Sequence, residues 1–174
     1  MTEARPFRVG LVCLGNICRS PMAAVVLAAK VRDAGLGDRI VVGSSGTGDW
    51  HIGEPMDPRA AAQLKAEGYD GSGHRAKQFD ARWFDAYDLL LAMDEANATD
   101  LRRQARNDSD RQRIRRFRDF DPLATDEDRS VPDPWYGDSD GFEEVFAIVE
   151  RTANALVETL RRDPQEAVLG TESS

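Results

Sequence analysis

A cysteine and an arginine separated by five residues, in Cys13-Leu14-Gly15-Asn16-Ile17-Cys18-Arg19-Ser20, hold the most reactive chemistry in this chain. The thiol leaves a short apolar run, and Ser20-Pro21 then opens a helix, with Ser20 as its N-cap and Pro21 at its first position. A loop of this length can turn its backbone N–H groups inward, and the helix N-terminus adds its positive end. Arg19 supplies a planar fork that matches two oxygens of a tetrahedral oxyanion. Residues Leu14, Gly15, Asn16, Ile17, Cys18, Arg19 and Ser20 thus form a phosphate-sized cup with the Cys13 sulfur at its base. The same field favours the thiolate, which is the nucleophilic form. A lone cysteine in such a place is more often buried and inert, but strand, Cys, five residues, Arg, Ser and Pro in this order argue otherwise. The nucleotide-binding pattern GxxxxG-Lys-Ser/Thr is absent, and with it the lysine that reaches outer phosphates.

Attack on a phosphomonoester also needs a proton for the leaving oxygen, because a phenol with a pKa near 10 leaves poorly as a bare phenolate. Asp133 in Val131-Pro132-Asp133-Pro134-Trp135-Tyr136-Gly137 is the candidate acid. Prolines on both sides stiffen its loop. The neighbouring aromatics can grip a ring substrate and keep water away. Alone, the segment would read as an Asp-Pro turn.

The elements that position these groups follow from the hydrophobic pattern. Val9 to Val12 reads as a buried strand, followed by a helix with Met22, Val25, Val26 and Ala29 on its buried stripe. Ile40 to Val42 is a second strand, and a Gly/Ser-rich loop from Gly43 to Gly53 leads to a helix over Pro58 to Glu67. Tyr87 to Ala92 is a third strand, after which Asp94 caps a helix reaching about Arg106. Ile114 to Phe117 is a fourth, weaker strand. A long helix follows Gly141, with Phe142, Val145, Phe146, Val149, Ala153, Leu156 and Leu160 at helical spacing. Strands alternating with helices predict a single α/β domain over residues 1–162, with a parallel sheet covered on both faces. Residues 163–174 read as a poorly ordered tail. Ligands of such sheets bind beyond the carboxyl ends of the strands, which is where Cys13 lies.

Composition narrows the partners. The 174 residues carry 23 basic and 31 acidic side chains, a net charge of −8, which disfavours non-specific binding to nucleic acid or anionic membrane. Two cysteines and two histidines without a paired CxxC exclude a disulfide framework and a zinc-ligand pattern. No apolar run is long enough to span a bilayer, and no signal-peptide pattern stands at the N-terminus, so a cytoplasmic location with reduced thiols is expected. The arginines at 102, 103, 106, 111, 113, 115, 116 and 118 alternate with acids such as Asp100, Asp108 and Asp110, which reads as a solvated ion-paired face rather than a docking site for an acidic partner.

From about Phe7 to Arg161 the chain resembles the low-molecular-weight protein tyrosine phosphatases. The matching segments are VCLGNICRSPMAA, SSGTGDWHIG, GHRAKQ, LLLAMDEAN and VPDPWYG, in the family's order and spacing. The resemblance implies a four-stranded parallel twisted sheet of doubly wound, flavodoxin-like order. It also implies metal- and cofactor-free hydrolysis of phosphotyrosine in two steps. Cys13 attacks phosphorus, Arg19 and the loop amides hold the oxygens, and Asp133 acts first as acid and then as base. By the same resemblance Asn16, Ser20, Ser44 and His74 form the network that fixes the loop; on their own, Ser44 reads as a turn serine and His74 as a surface residue. Trp50, Trp135 and Tyr136 are the implied walls for the substrate ring, with satellite core the alternative for Trp50. Cys18 resembles a redox partner that protects Cys13 through a transient disulfide, a small packed residue being the alternative. The expected partners are a phosphotyrosine protein and a cognate tyrosine kinase, and the expected state is a monomer with at most weak self-association. Where the family usually has Tyr, this chain has Trp135, which leaves Tyr136 as the phosphorylatable ring.

Four rivals are weaker, one of them a catalytically silent phosphotyrosine-binding module, against which the full set of expected catalytic groups argues. An arsenate reductase on this scaffold needs further cysteines, and the chain has none beyond Cys18. A protein arginine phosphatase carries Thr where Ile17 stands, and Ile17 offers no hydroxyl to a guanidinium. A metal-dependent phosphatase start at Asp138-Ser139-Asp140 is spoiled by Phe142. Asp94 and Asn97 read as helix capping, and His51 carries no assigned chemistry.

Overall fold

The computed structural model describes residues 5–134 and 139–169. Four strands, β1 (Phe7–Cys13), β2 (Ile40–Gly46), β3 (Leu89–Ala92) and β4 (Ile114–Arg116), form one all-parallel sheet in the order β2-β1-β3-β4. Between them run α1 (Arg19–Asp33), α2 (Pro58–Ala66), α3 (Trp83–Ala86), α4 (Glu95–Gln104) and α5 (Asp108–Gln112); α6 (Ser139–Arg162) and α7 (Pro164–Leu169) follow. The predicted order is the observed one. Chain direction reverses its progress across the sheet at β1, so the crevice beyond the end of β1 is the topological switch point where ligands of such sheets bind.

Alternation along β1 builds both cores. Phe7, Val9, Leu11 and Cys13 face one hydrophobic cluster, shared with α1, α2 and α6. Val12 faces the other, with Leu90, Ala92, Phe84 and Leu101. The period of two is what a strand buried on both faces requires. All seven positions of the α6 stripe are buried. On α1 the buried face is Met22, Ala23, Val26, Leu27 and Val31, one step round from the expected stripe; Val25 and Ala29 are only half-buried.

Several boundaries differ from the pattern for local reasons. The helix α1 begins at Arg19, so Ser20 is not its cap; Cys18 holds that position without a side-chain hydrogen bond. The Ser20 hydroxyl is spent on the site instead. The strand β2 continues through Ser44 and Ser45 to Gly46, which pairs in register with Cys13. Tyr87 stays outside β3, its ring stacked on Trp83 at 4.5 Å, and Phe117 enters a 3-10 turn over Phe117–Phe120. The expected tail is helical over Pro164–Leu169: Asp163 accepts from Gln165 N at 3.0 Å, Pro164 sets the first turn, and Ala167 is fully buried while its carbonyl accepts from Arg115 at 3.0 Å.

The arginine run resolves into ion pairs. Arg102, Arg103, Arg106, Arg111, Arg115 and Arg116 pair with Glu95, Asp85, Asp100, Asp108, Asp110 or Asp119, and Arg113 donates to the carbonyls of Phe84 and Tyr87. Arg118 alone in the run is buried, at 4% exposure. Among the described residues no helix is long and apolar enough to cross a membrane.

Candidate active site

Because β1 ends at Cys13 and α1 starts at Arg19, residues 14–18 must close the gap in one tight loop. Asn16 makes the turn with φ of 57°, the only positive φ outside glycine among the described residues. That conformation is held by its own polar atoms. Its Nδ2 donates to Ser20 Oγ (2.9 Å) and Ser44 Oγ (3.0 Å), and its Oδ1 accepts from Lys77 N at 2.9 Å. His74 Nε2 donates to its carbonyl at 2.6 Å, and its N–H points at Cys13 Sγ at 3.2 Å. Burial, with Lys77 and Arg75 nearby, lowers the His74 pKa against the opposing pull of the Asn16 carbonyl. A neutral ring with the proton on Nε2 fits that donation.

The sulfur has a second partner. Ser20 Oγ lies 2.9 Å from Cys13 Sγ and also donates to Ser45 O at 3.3 Å. Among the described residues, the N–H groups of Leu14, Gly15, Ile17, Cys18 and Arg19 make no hydrogen bond. A loop that leaves five backbone donors unspent around one sulfur is built for an anion.

Arg19 is buried and forked. Its Nη1 donates to Asp94 Oδ2 at 2.6 Å and to Val131 O at 3.1 Å, while Nη2 lies 3.6 Å from Asp133 Oδ2. Burial weakens its hold on the proton, but Cys13, Asp94 and Asp133 outweigh it and raise its pKa. Cys18 shows the reverse: burial, then the charges of Asp57, Cys13 and Asp133, push its thiol well above the ordinary range. Asp57 caps α2 by accepting from Arg59 N at 2.8 Å and donates its own N–H to Ile17 O at 2.9 Å, so it ties that helix to the loop.

One cavity of about 240 Å³ is lined by Cys13, Leu14, Gly15, Ile17, Cys18, Arg19, Trp50, His51 and Asp133. Nucleophile candidate, phosphate loop, arginine and candidate acid therefore open onto the same space. A family model described as low molecular weight phosphotyrosine protein phosphatase matches residues 8–166. The chain belongs to that family. A low molecular weight protein-tyrosine-phosphatase of Streptomyces coelicolor is 46% identical over 155 residues, covering 89% of this chain and 94% of its own. The low molecular weight phosphotyrosine protein phosphatase of Sus scrofa is 36% identical over 162 residues, covering 92% and 100%. A crystal structure of a protein tyrosine phosphatase from Entamoeba histolytica, with Hepes in its active site, superposes with a TM-score of 0.85 at 30% identity, covering 91% of this chain and 99% of that one.

In this phosphatase Trp50 sits on the cavity rim, 65% exposed, which removes its alternative reading as core. Trp135 and Tyr136 lie outside the described residues. Three contributors were not assigned from the sequence. Asp94 caps α4 by accepting from Asn97 N at 2.7 Å and also braces Arg19, a second duty that capping chemistry does not announce. His51 lines the cavity and bonds Glu54 at 2.7 Å. Gly46 is the third: a Cβ there would stand 2.7 Å from Leu14 O and 3.0 Å from Asn16 N, inside van der Waals contact with the loop backbone. Gly46→Ala is expected to cost about 1–3 kcal/mol of stability and to raise KM for phosphorylated substrate, since backbone rather than a flexible side chain must move. A thermal melt and a KM equal to those of the parent protein would show that the loop tolerates the methyl.

Proposed function

We propose that Cys13 is the nucleophile, Arg19 and the loop N–H groups of residues 14–19 the phosphate holders, and Asp133 the general acid and base of phosphotyrosine hydrolysis. The observation that carries this reading is the opening of Cys13, the loop, Arg19 and Asp133 onto one cavity, with the Asn16 N–H aimed at sulfur and Ser20 Oγ 2.9 Å from it. With Nη1 committed to Asp94 and Val131, Arg19 has Nε and Nη2 for a bidentate grip on two phosphate oxygens. In the first step the Sγ–P bond forms, the P–O bond to the tyrosyl ring breaks, and Asp133 gives its proton to the departing phenolate. In the second, Asp133 takes a proton from water as its oxygen bonds phosphorus. The S–P bond then breaks, and Ser20 and the Asn16 N–H receive the thiolate. Orthophosphate leaves.

Asn16, Ser20, Ser44 and His74 act as the frame of the loop, supported by the bonds above. Ile17 and Trp50 favour a flat aryl phosphate, and a tyrosine kinase is the class of enzyme that supplies it. Cys18 serves as redox partner: a Cys13 sulfenic acid formed by peroxide condenses with the Cys18 thiol to a disulfide and water.

The test is hydrolysis of phosphotyrosine, phosphoserine and phosphoarginine peptides in the presence of EDTA. Turnover confined to phosphotyrosine supports the reading. Preference for phosphoarginine would overturn the specificity assigned to Ile17. Phosphate binding without turnover on any peptide would overturn the roles altogether.

A further inference from the structure

Arg118 emerges from the arginine run as a buried hub with three separate partners. Its Nε donates to Asp121 Oδ2 at 2.9 Å, and its Nη1 to Asp128 Oδ1 at 2.6 Å and to the backbone carbonyl of Ser130 at 2.9 Å. Asp121 is itself fully buried and gripped from α6 by Arg151, whose Nε and Nη2 reach its two oxygens at 2.7 and 2.9 Å. Burial opposes the charge on Asp121, yet Arg151, the Leu123 amide and Arg118 outweigh it and lower its pKa to about 2. The hub therefore stays ionised, and one of its bonds ends on main chain rather than on another side chain.

That main-chain contact adjoins the site. The next residue, Val131, donates its N–H to Met93 O at 2.7 Å at the end of β3, and its carbonyl accepts from Arg19 at 3.1 Å. Asp133 follows two residues later, between Pro132 and Pro134, whose fixed φ angles carry the direction of the chain forward. Ser130 and Pro132 also border an open surface depression of about 570 Å³, together with Arg118, Ile148 and Arg151. The bond from Arg118 to Ser130 O fixes the backbone one residue before Val131 and three before Asp133.

We propose that Arg118 is a positioning residue for Asp133, setting the distance of the carboxyl group from the leaving oxygen. The inference rests on Asp133 being the acid. A misplaced acid slows substrates that need protonation and spares those that do not, whereas a general loss of structure slows both alike.

The measurement is kcat/KM, which reports expulsion of the leaving group, for phenyl phosphate and for 2,4-dinitrophenyl phosphate. In Arg118→Met, phenyl phosphate is expected to lose about 10- to 100-fold and dinitrophenyl phosphate no more than about threefold. Arg118→Lys, which keeps a positive charge against Asp121 but cannot also span to Ser130 O, is expected to fall between, and it carries the test should Arg118→Met not fold. Equal losses on both esters, or none on either, would overturn the proposal. Asp133→Ala serves as reference. If it shows the leaving-group dependence and the Arg118 variants do not, positioning alone fails; if it shows none, the acid assignment fails and the proposal with it.

Discussion

Cys13→Ser is expected to lose turnover by at least about 10⁴-fold on any phosphomonoester while retaining phosphate affinity. The exchange removes one large polarisable atom and leaves the frame in place. Ser20 Oγ and the Asn16 N–H, now 2.9 and 3.2 Å from sulfur, remain as hydrogen-bond partners of the new oxygen. The unspent N–H groups and Arg19 remain as well. What is lost is the ease of forming an anion: a serine hydroxyl is far harder to deprotonate than a thiol. Titration calorimetry with inorganic phosphate should give a Kd within about threefold of the parent protein. Normal turnover in the variant would remove Cys13 as nucleophile. Loss of phosphate binding together with turnover would mean that the sulfur holds the loop together rather than reacting.

Asp133→Ala is expected to lower kcat/KM for phenyl phosphate by about 10²- to 10⁴-fold, the usual worth of a well-placed acid. The loss for dinitrophenyl phosphate should be far smaller, because that leaving group departs without a proton. KM should change little, since the carboxyl side chain is a third exposed and sits 3.6 Å from Arg19 at the edge of the cup rather than beneath the phosphate. Removing it also frees Arg19 Nη2 from a competing anion, which offsets any loss of binding. Equal losses on both esters would deny Asp133 the role of acid.

How far the sequence reaches toward this site can be judged residue by residue. The order of strand, loop, helix and the proline-flanked acid are written in contiguous stretches, so they are legible. The sheet order is not written in that alternation; it is what the family resemblance implies. Ser20 shows where local reasoning fails: a serine before proline looks like a cap, but the sulfur seven residues back and the carbonyl of Ser45 claim its hydroxyl. Asp94 was readable as a cap because the cap is local, while its bond to Arg19 spans 75 positions. The helices α3 and α5 have four and five residues, too few to display a period. The C-terminal helix is amphipathic over barely two turns and is held by a contact from Arg115 that only the folded sheet supplies. The phosphate loop and the proline-flanked acid were legible because each lies in one contiguous stretch; the scaffolding was less so because its partners are distant.

Asn16 holds the last consequence. With its amide N–H, carbonyl, Nδ2 and Oδ1 all engaged and its backbone fixed in a left-handed turn, the loop has almost no alternative shape to visit. The free energy of gathering several dipoles of like orientation around one point is therefore met during folding, before any substrate arrives. Little reorganisation energy remains for the moment when charge spreads over the transferring phosphoryl group. The enzyme behaves there as a preorganised solvent with its polarisation frozen in, and chemistry at phosphorus need not wait for water or protein to turn toward it.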